Sequence, residues 1–498
     1  MKSMLALMAG AMVFTACSND DTLENINEQT PSALKPMIFT ASMEGQGGTR
    51  AAIDGLDIKW TSGDKISIFD GSTENNGDQE FTLSGDGGST SGSFTGTAAT
   101  ATTYYALYPY AASSFESKDV TEEDAMAAAG DAYYWIEDWK MDWDRYSRHP
   151  EYLVEEMNYL NISPENQAII LAYLKGEKLE KKSGPQRNAN DQFENVVLPA
   201  EQTATAGSAD PKAMLMIAKS DDASTMEFKN VCAYVKVTPQ FDCTSILLKS
   251  KGTESLAGTL TVDYNEGAPT TTVTADGTNA VTLTGTITAN NTYYIAVRPE
   301  TLSSGFTIYF ITADYIYKKT ASKEVAFTRN NVTNLGSFEA SKLTSVQVAG
   351  TAKATIDGVA TDINWIQLWD NGPKFAEYNV GVTDGKSESV GSVFTWSTDI
   401  AKVQWGNSWR MPTSDEFNAL LTNCTYTNTT KNNVSGLLFT GKYEYSSYSI
   451  FLPIASSYYW SATQADGTDA YRLTVSGYIT VSRNGFSHTY NVRAVLAE

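Results

Sequence analysis

Two histidines, His149 and His488, are the whole imidazole content of this 498-residue chain, and they stand in different parts of it. Catalysis would need a nucleophile beside a base, paired carboxylates across a cleft, or a cluster of metal ligands. Neither histidine has a partner at ligand spacing, so both read as surface residues. Asp142 and Asp144 fall in a stretch of helical spacing, where residues two apart point in divergent directions. A solvated acidic face fits them better than a metal site. Four cysteines complete the reactive side chains: Cys17, Cys232, Cys243 and Cys424. The last three match no zinc-binding spacing. Cys232 and Cys243 either pair or remain buried free thiols, and spacing alone does not separate the two. On this reading catalytic residues, metals and cofactors are none, and the chain is expected to bind rather than catalyse.

Cys17 is placed for a different chemistry. Lys2 supplies a positive start, Met4 to Phe14 is apolar with small residues mixed in, and the run is too short to span a bilayer as a permanent helix. Residues 1–16 therefore read as a signal peptide. Its end, Val13-Phe14-Thr15-Ala16-Cys17, resembles a lipobox, in which the cysteine thiol accepts a diacylglyceryl group; Phe14 stands where Leu is usual. The alternative is an ordinary secretory signal followed by an incidental cysteine. A polar tether, 17–36, comes next. Its Ser18-Asn19-Asp20-Asp21 resembles the signals that send lipoproteins to the outer face of the outer membrane in Bacteroidetes-type cells. Lys and Arg number 36 against 58 Asp and Glu, a net charge of −22, which disfavours nucleic acid and anionic membrane surfaces as partners.

The elements that hold these residues are mostly strands. Aromatics make up 11% of the chain, with 27 Tyr, and segments rich in Thr, Val and Tyr are separated by Gly, Asn and Asp clusters. Ile66-Ser67-Ile68, Phe81-Thr82-Leu83, Val231 to Val237 and Tyr293 to Val297 are examples. Val231, Ala233, Val235 and Val237 share one face, which period two makes the core face. A break at Asp221 to Ser224 divides the region into two β-sandwiches, 37–225 and 226–343.

From 116 to 187 the strand pattern gives way to helical spacing. Residues 116–165 hold fourteen acidic side chains and only four basic ones, Lys118, Lys140, Arg145 and Arg148. Thr121 with Asp124 marks one helix start, and Ser163-Pro164-Glu165 a stronger one, with Ser at the cap and Pro at the first helical position. This stretch reads as an acidic helical insertion in the first sandwich. Trp135, Trp139 and Trp143 recur at i, i+4 and i+8. They form either an aromatic platform for a sugar or protein or, as the favoured reading, the packing stripe of the insertion.

After Leu343 the texture changes again. Six of the ten tryptophans, Trp365, Trp369, Trp396, Trp405, Trp409 and Trp460, lie there. Thr413 and Glu416 make a capping box, Pro412 and Phe417 a hydrophobic staple, and Phe417, Leu420, Leu421 and Cys424 share one face of the following helix. Cys424 is expected in the core.

The first region resembles the fimbrillin-like lipoproteins of Bacteroidales. The matching stretches are Ile38-Phe39-Thr40-Ala41, Thr49-Arg50-Ala51-Ala52-Ile53, Trp60 to Ile66, Tyr105-Ala106-Leu107-Tyr108-Pro109-Tyr110, Leu198-Pro199-Ala200-Glu201-Gln202 and Asn331-Val332-Thr333-Asn334-Leu335. They run through residues 37 to 340 outside the insertion. The resemblance implies two transthyretin-like sandwiches and a role as a pilus subunit or pilus-associated surface protein. It further implies removal of a first strand by cleavage after an arginine, here between Arg50 and Ala51, and filling of the vacated groove by a neighbour's donor strand. Phe39, Ala41 and Met43 share a face of the removable strand. The alternative is that Arg50 is an ordinary loop residue and the anchor stays attached.

The last region, 350–498, resembles the Fibrobacter major paralogous domain family, an α+β fold similar to C-type lectins and formylglycine-generating enzymes. Trp365-Ile366-Gln367-Leu368-Trp369, Tyr378-Asn379-Val380-Gly381, Trp405 to Thr413, Ile450 to Pro453, Tyr459 to Thr463 and Val492-Arg493-Ala494-Val495 carry it, with Ala494 in place of a more usual Pro. Cys424 stands alone where formylglycine generation requires paired reactive cysteines. No Glu-Pro-Asn signature for calcium-dependent sugar binding is present. Aromatic residues on a lectin-like loop face cover sugar faces or partner side chains, and Tyr458, Tyr459 and Trp460 are the candidates; the alternative is burial in the domain core, the favoured reading for Trp460 and an open one for the two tyrosines.

A chain with a second fold after residue 340 is well placed to accept a donor strand and poorly placed to give one. The expected role is a pilus-tip adhesin at the outer membrane surface, bound to other pilus subunits and to a host or bacterial surface glycan or protein. Rival expectations are a structural pilus subunit or anchor and an accessory protein of surface glycan utilisation.

Overall fold

The computed structural model describes residues 34–497 except 45–55, 57, 71–78, 113, 161, 189, 223, 266–267, 397–398, 456 and 478. Cys17 with its signal peptide, and the Arg50–Ala51 bond, lie outside the described residues.

The expectation of a mainly β chain holds. In the first unit seven strands close into a barrel, in the order Lys35–Met43, Thr225–Asn230, Met216–Ser220, Tyr104–Tyr108, Lys65–Phe69, Gln79–Ser84 and Ser91–Ala98, the last pairing back onto the first. Alternation supplies the inward faces: Phe39, Ala41 and Met43 from the first strand, Ile66 and Ile68, Phe81 and Leu83, all buried. Trp60 stands at the centre, with Phe94, Tyr108 and Phe228 edge-on to its ring at 4.9, 5.3 and 5.4 Å.

The boundary expected at residue 225 moves. Thr225–Asn230 completes the barrel, while Gln192–Leu198 and Glu201–Thr203, expected in the first unit, pair with Ala257–Asp263 and Ala280–Ile287 of the second. The chain thus crosses to the second unit after the insertion, returns for two barrel strands, and crosses again. Hydrophobic strands carry no label for the sheet they join, so a local change of pattern misplaces such a crossover. The result is one continuous apolar core from Phe39 to Phe338.

The second unit is built on a six-stranded sheet: Glu201–Thr203, Ala280–Ile287, Cys243–Ser250, Phe306–Ile311, Tyr315–Ala321, Thr344–Gln347. Tyr293–Val297, Ala233–Pro239 and Val332–Phe338 form a three-stranded sheet whose buried side chains share its apolar core. Val231, Ala233, Val235 and Val237 are buried as the alternation predicts.

The insertion stands on a two-stranded ribbon, Ser114–Asp119 with Lys178–Ser183. Its helices are Glu122–Ala129, Trp135–Met141, Trp143–Tyr146, Pro150–Tyr159 and Pro164–Lys175, around a core of their own. Both starts read from sequence are real: Thr121 and Asp124 form a capping box, and the Ser163 hydroxyl accepts the Asn166 N–H ahead of Pro164.

In the C-terminal domain the two chain ends meet in one sheet, Ala349–Ile356, Val359–Gln367, Lys374–Ala376, Val495–Leu496 and Trp409–Arg410. Two three-stranded sheets, the two-stranded pair Phe394–Thr395 with Thr489–Tyr490, and the helices Ile400–Trp405 and Ser414–Asn423 are its other main elements. The Trp409 to Thr413 motif is a folding device. Thr413 and Glu416 form the capping box, Arg410 grips Glu416 through two bonds of 2.8 and 2.6 Å, and Trp409 is fully buried with its Nε1 donating to Lys353 O.

Thr344–Gln347 pairs with Tyr315–Ala321, so the chain enters this domain from within the second unit's sheet. Leu247, Ala280, Ile311 and Ile316 of that unit share an apolar cluster with Leu368, Phe417, Tyr445 and Tyr448. The Tyr448 hydroxyl donates to Thr312 O at 2.6 Å across the junction.

Candidate functional site

The seat of the first strand is the most constructed feature of the barrel. Lys35–Met43 runs antiparallel to Ser91–Ala98 over eight residue pairs and parallel to Thr225–Asn230 over four. It therefore contributes hydrogen bonds on both sides and closes the barrel. Phe39 lies 5.4 Å from Phe81 and 5.2 Å from Tyr104, ring edge to face. Opposite Ala41 is Gly92, where a Cβ would stand 2.5 Å from Leu83 Cδ1. Opposite Met37 is Gly96, where it would meet the Phe81 ring at 2.7 Å. Those glycines leave room for the barrel's interior side chains beneath the first strand. Burial of Phe39 and Met43 contributes about 3–6 kcal/mol to its seating.

At the end of this strand is a feature that sequence reasoning missed. Glu44 continues the ladder, its N–H donating to Phe228 O at 2.7 Å. Its carboxylate takes two bonds from Arg329, Nη1 to Oε2 and Nη2 to Oε1, each 2.7 Å. It also accepts the Asn230 N–H at 3.1 Å, while Arg329 Nη1 donates to Asn230 O at 2.6 Å. The side chains are only 16% and 21% exposed. Burial is the largest influence on Glu44 and would raise its pKa, but the bonds and charge of Arg329 and the Asn230 N–H outweigh it and hold the carboxyl below its usual range. No local pattern announces a pair 285 residues apart.

The ligand candidates in the C-terminal domain divide. Tyr459 and Trp460 are fully buried. Their strand, Tyr458–Gln464, runs between two apolar clusters, so successive side chains enter opposite cores, Tyr459 one and Trp460 the other. Their polar atoms are satisfied inside, Tyr459 Oη on Pro453 O and Trp460 Nε1 on Phe394 O. Neither ring offers a face to a ligand: Trp460 takes the core position favoured for it, and of the two places open to Tyr459 the core is the one present. Tyr458 is half-buried. Its ring carries the Arg472 guanidinium at 3.8 Å and lies 4.8 Å from Tyr490. Arg472 and Asn484 both donate to the Tyr490 hydroxyl. Nearby, Trp396 and Phe486 stack at 4.3 Å and 16°. This aromatic and guanidinium face is what Tyr458 belongs to.

In the insertion the tryptophan stripe is broken, because the helix bearing Trp135 and Trp139 ends at Asp142 and Trp143 starts another. Trp139 is 1% exposed, with Nε1 donating to Glu156 at 3.0 Å, and it packs the insertion core. Trp135 lies over it at the surface, ring centroids 6.5 Å apart. His149 is exposed, 3.1 Å from Glu151 and stacked on Tyr152; His488 is exposed and stacked on Tyr490.

Cys232, Cys243 and Cys424 are free and buried, and burial pushes each thiol up to about 12. Of the two arrangements the spacing allowed, separate thiols is the one present. Among the described residues no three His, Cys, Asp or Glu side chains converge as a metal site would require.

No family model matches the sequence, and no curated protein is similar to it. Among solved structures, a candidate cell adhesion protein from Bacteroides uniformis aligns over 63% of this chain and 96% of its own, at 13% identity and a TM-score of 0.32. Another from Bacteroides ovatus aligns over 63% and 96%, at 12% identity and 0.30. A fimbrial protein from Bacteroides ovatus aligns over 94% and 100%, at 12% identity and 0.23. Superposition this loose carries no functional weight.

Proposed function

We propose that this chain is a cell-surface lipoprotein of fimbrillin type that accepts a neighbouring subunit's strand into the seat of its own first strand and carries its C-terminal domain outward as a pilus-tip adhesin. The observation that carries the reading is the first strand itself. It is terminal to the barrel in sequence, central in hydrogen bonding, and followed at once by the segment containing Arg50. Removing it would open the barrel along a groove with two hydrogen-bonding edges and pockets for Phe39 and Met43, which is the acceptor geometry of strand addition. Lipid at Cys17 would hold the subunit at the outer membrane until processing.

Binding, not turnover, is the activity this reading assigns, and the half-buried Tyr458 and Arg472, backed by the buried Tyr490, are its place for a glycan or protein ligand. Two experiments test it. Mapping the N-termini of the surface protein should find Ala51; a mature form that begins at Cys17, with none at Ala51, overturns processing. Immunogold labelling should mark fibre ends; even labelling along fibres overturns the tip position.

The apolar core shared by the second unit and the C-terminal domain favours a second reading, a structural subunit whose last domain stiffens the pilus. Arrays of glycans and surface proteins probed with the whole chain separate the two. An adhesin gives hits that Tyr458→Ala and Arg472→Ala abolish; a structural subunit gives none.

A further inference from the structure

The strand-addition reading leaves open what the incoming strand must look like, and the barrel's seat answers it. Glu44 belongs to the segment that would leave with the first strand, since its backbone continues that strand's ladder onto Phe228. Arg329 belongs to the body that stays, next to the strand Val332–Phe338. Departure of the first strand strips the Arg329 guanidinium of both carboxylate bonds while its bond to Asn230 O remains. With the strand seated the cation is only 16% exposed, so departure of the strand removes both its counter-charge and its cover, while Asn230 O still holds the guanidinium in place to attract another anion. The planar guanidinium fork accepts a carboxylate side-on through two parallel bonds, so the replacement is specified in geometry as well as in sign.

We infer that Arg329 is the specificity-determining residue of the seat: it selects a partner-subunit strand that carries Asp or Glu immediately after its last buried apolar residue. The rest of the required pattern is set by the resident strand. Large apolar side chains are needed at the places of Phe39 and Met43, and a small one at Ala41, fully buried opposite Gly92. The arriving strand takes the resident's direction, antiparallel to Ser91–Ala98 and parallel to Thr225–Asn230.

This rests on the strand-addition reading, and the test keeps the two apart. A specific protease site placed between Glu44 and Arg50 of the full chain allows a single cut that leaves the first strand seated without a covalent link. Fluorescent peptides of residues 34–44 are then exchanged into the cut protein and ranked by competition. The expected result is that the Glu44→Gln peptide binds at least tenfold more weakly than the native one and the Glu44→Lys peptide more weakly still. In Arg329→Glu protein the order should reverse, with the Lys peptide preferred. The three peptides are compared on one cut protein that keeps Arg329, so the first result stands even where Arg329→Glu fails to fold; Arg329→Gln, which should level the preference, is the milder companion. Native, Gln and Lys peptides that enter with equal affinity overturn the role of Arg329 and leave strand addition intact. Entry by no peptide into fully cut protein overturns strand addition and this inference with it.

Discussion

Arg493 is the sharpest place to test how the C-terminal domain is held together. It is fully buried, and its guanidinium donates to four neutral oxygens. Nε donates to Asn379 Oδ1 at 2.9 Å, Nη1 to Ala376 O at 3.0 Å and to Glu377 O, and Nη2 to Phe451 O at 2.7 Å. Burial pulls its pKa down to about 10, which leaves it charged at neutral pH. One side chain thus ties the chain's end to the edge of the strand Lys374–Ala376 and to Ser449–Pro453. Hydrogen bonds to a charged group contribute about 1.5–3 kcal/mol each. Arg493→Lys keeps the charge but supplies three donors from a single point, so at least one of the four oxygens loses its partner, and the expected loss is about 2–3 kcal/mol. Arg493→Met orphans all four oxygens while sparing the cost of burying a cation, for a net loss of about 3–5 kcal/mol. For a unit of this size that corresponds to melting shifts of about 4–12 °C for Lys and 6–20 °C for Met. Urea and thermal unfolding followed by tryptophan fluorescence read both, since six tryptophans lie in this domain. An Arg493→Met protein as stable as the parent within 1 kcal/mol would refute the reasoning, because desolvation would then cancel everything the four bonds contribute.

Three further outcomes are expected. Glu44 has a folded pKa below its unfolded value, so its contribution is complete above the unfolded value, about 4.3, and is lost as pH falls through the lower, folded one. Urea midpoints of parent and Glu44→Gln should therefore differ by about 1–2 kcal/mol at pH 7 and converge in acid; a constant gap across pH contradicts the ion pair. Thiols held at about 12 carry about a thousandfold less thiolate than ordinary ones, so Cys232, Cys243 and Cys424 should be silent to a thiol reagent in the native protein and react once it is unfolded. Finally, Trp139→Ala should destabilise the insertion by about 3–5 kcal/mol. Hydrogen exchange should show protection lost from Glu122 to Lys175 while the barrel keeps its own; barrel loss of equal size would mean that the ribbon does not insulate the two.

What the sequence made legible follows the range of the interactions. The helix starts at Thr121, Ser163 and Thr413 depend on groups no more than three residues apart, and all three were readable and are present. The alternation of Val231, Ala233, Val235 and Val237 likewise identified a core face from one segment. Legibility failed where partners are distant. Thr225–Asn230 reads as the start of a new unit because its own pattern says nothing about Lys35–Met43, its parallel neighbour in the barrel but far from it in sequence. Glu44 looks like any acid after a strand until Arg329 is brought to it. Tyr459 and Trp460 illustrate the same limit: an aromatic run is equally suited to a loop face or to a strand covered on both sides, and only the second cluster of buried residues decides.

The two halves of the proposed function depend on one mechanical property, the absence of a loose joint between them. A strand seated in the barrel is useful to an adhesin only if its hold is transmitted to the ligand face. In this chain the transmission is continuous. The barrel shares its core with the second unit, the second unit's sheet includes Thr344–Gln347, and the same sheet packs Leu247, Ile311 and Ile316 against Leu368 and Tyr448. Lys249 adds a cation over the Tyr443 ring at 3.7 Å and an ion pair to Glu444 at 3.8 Å on the same junction. Separating the C-terminal domain would expose that apolar surface, so the domain is better regarded as part of a single body than as a module on a tether. The insertion is the contrasting case. Its core is its own and its attachment is a two-stranded ribbon, and so of all the described parts it is the one whose loss the rest of the fold is built to tolerate.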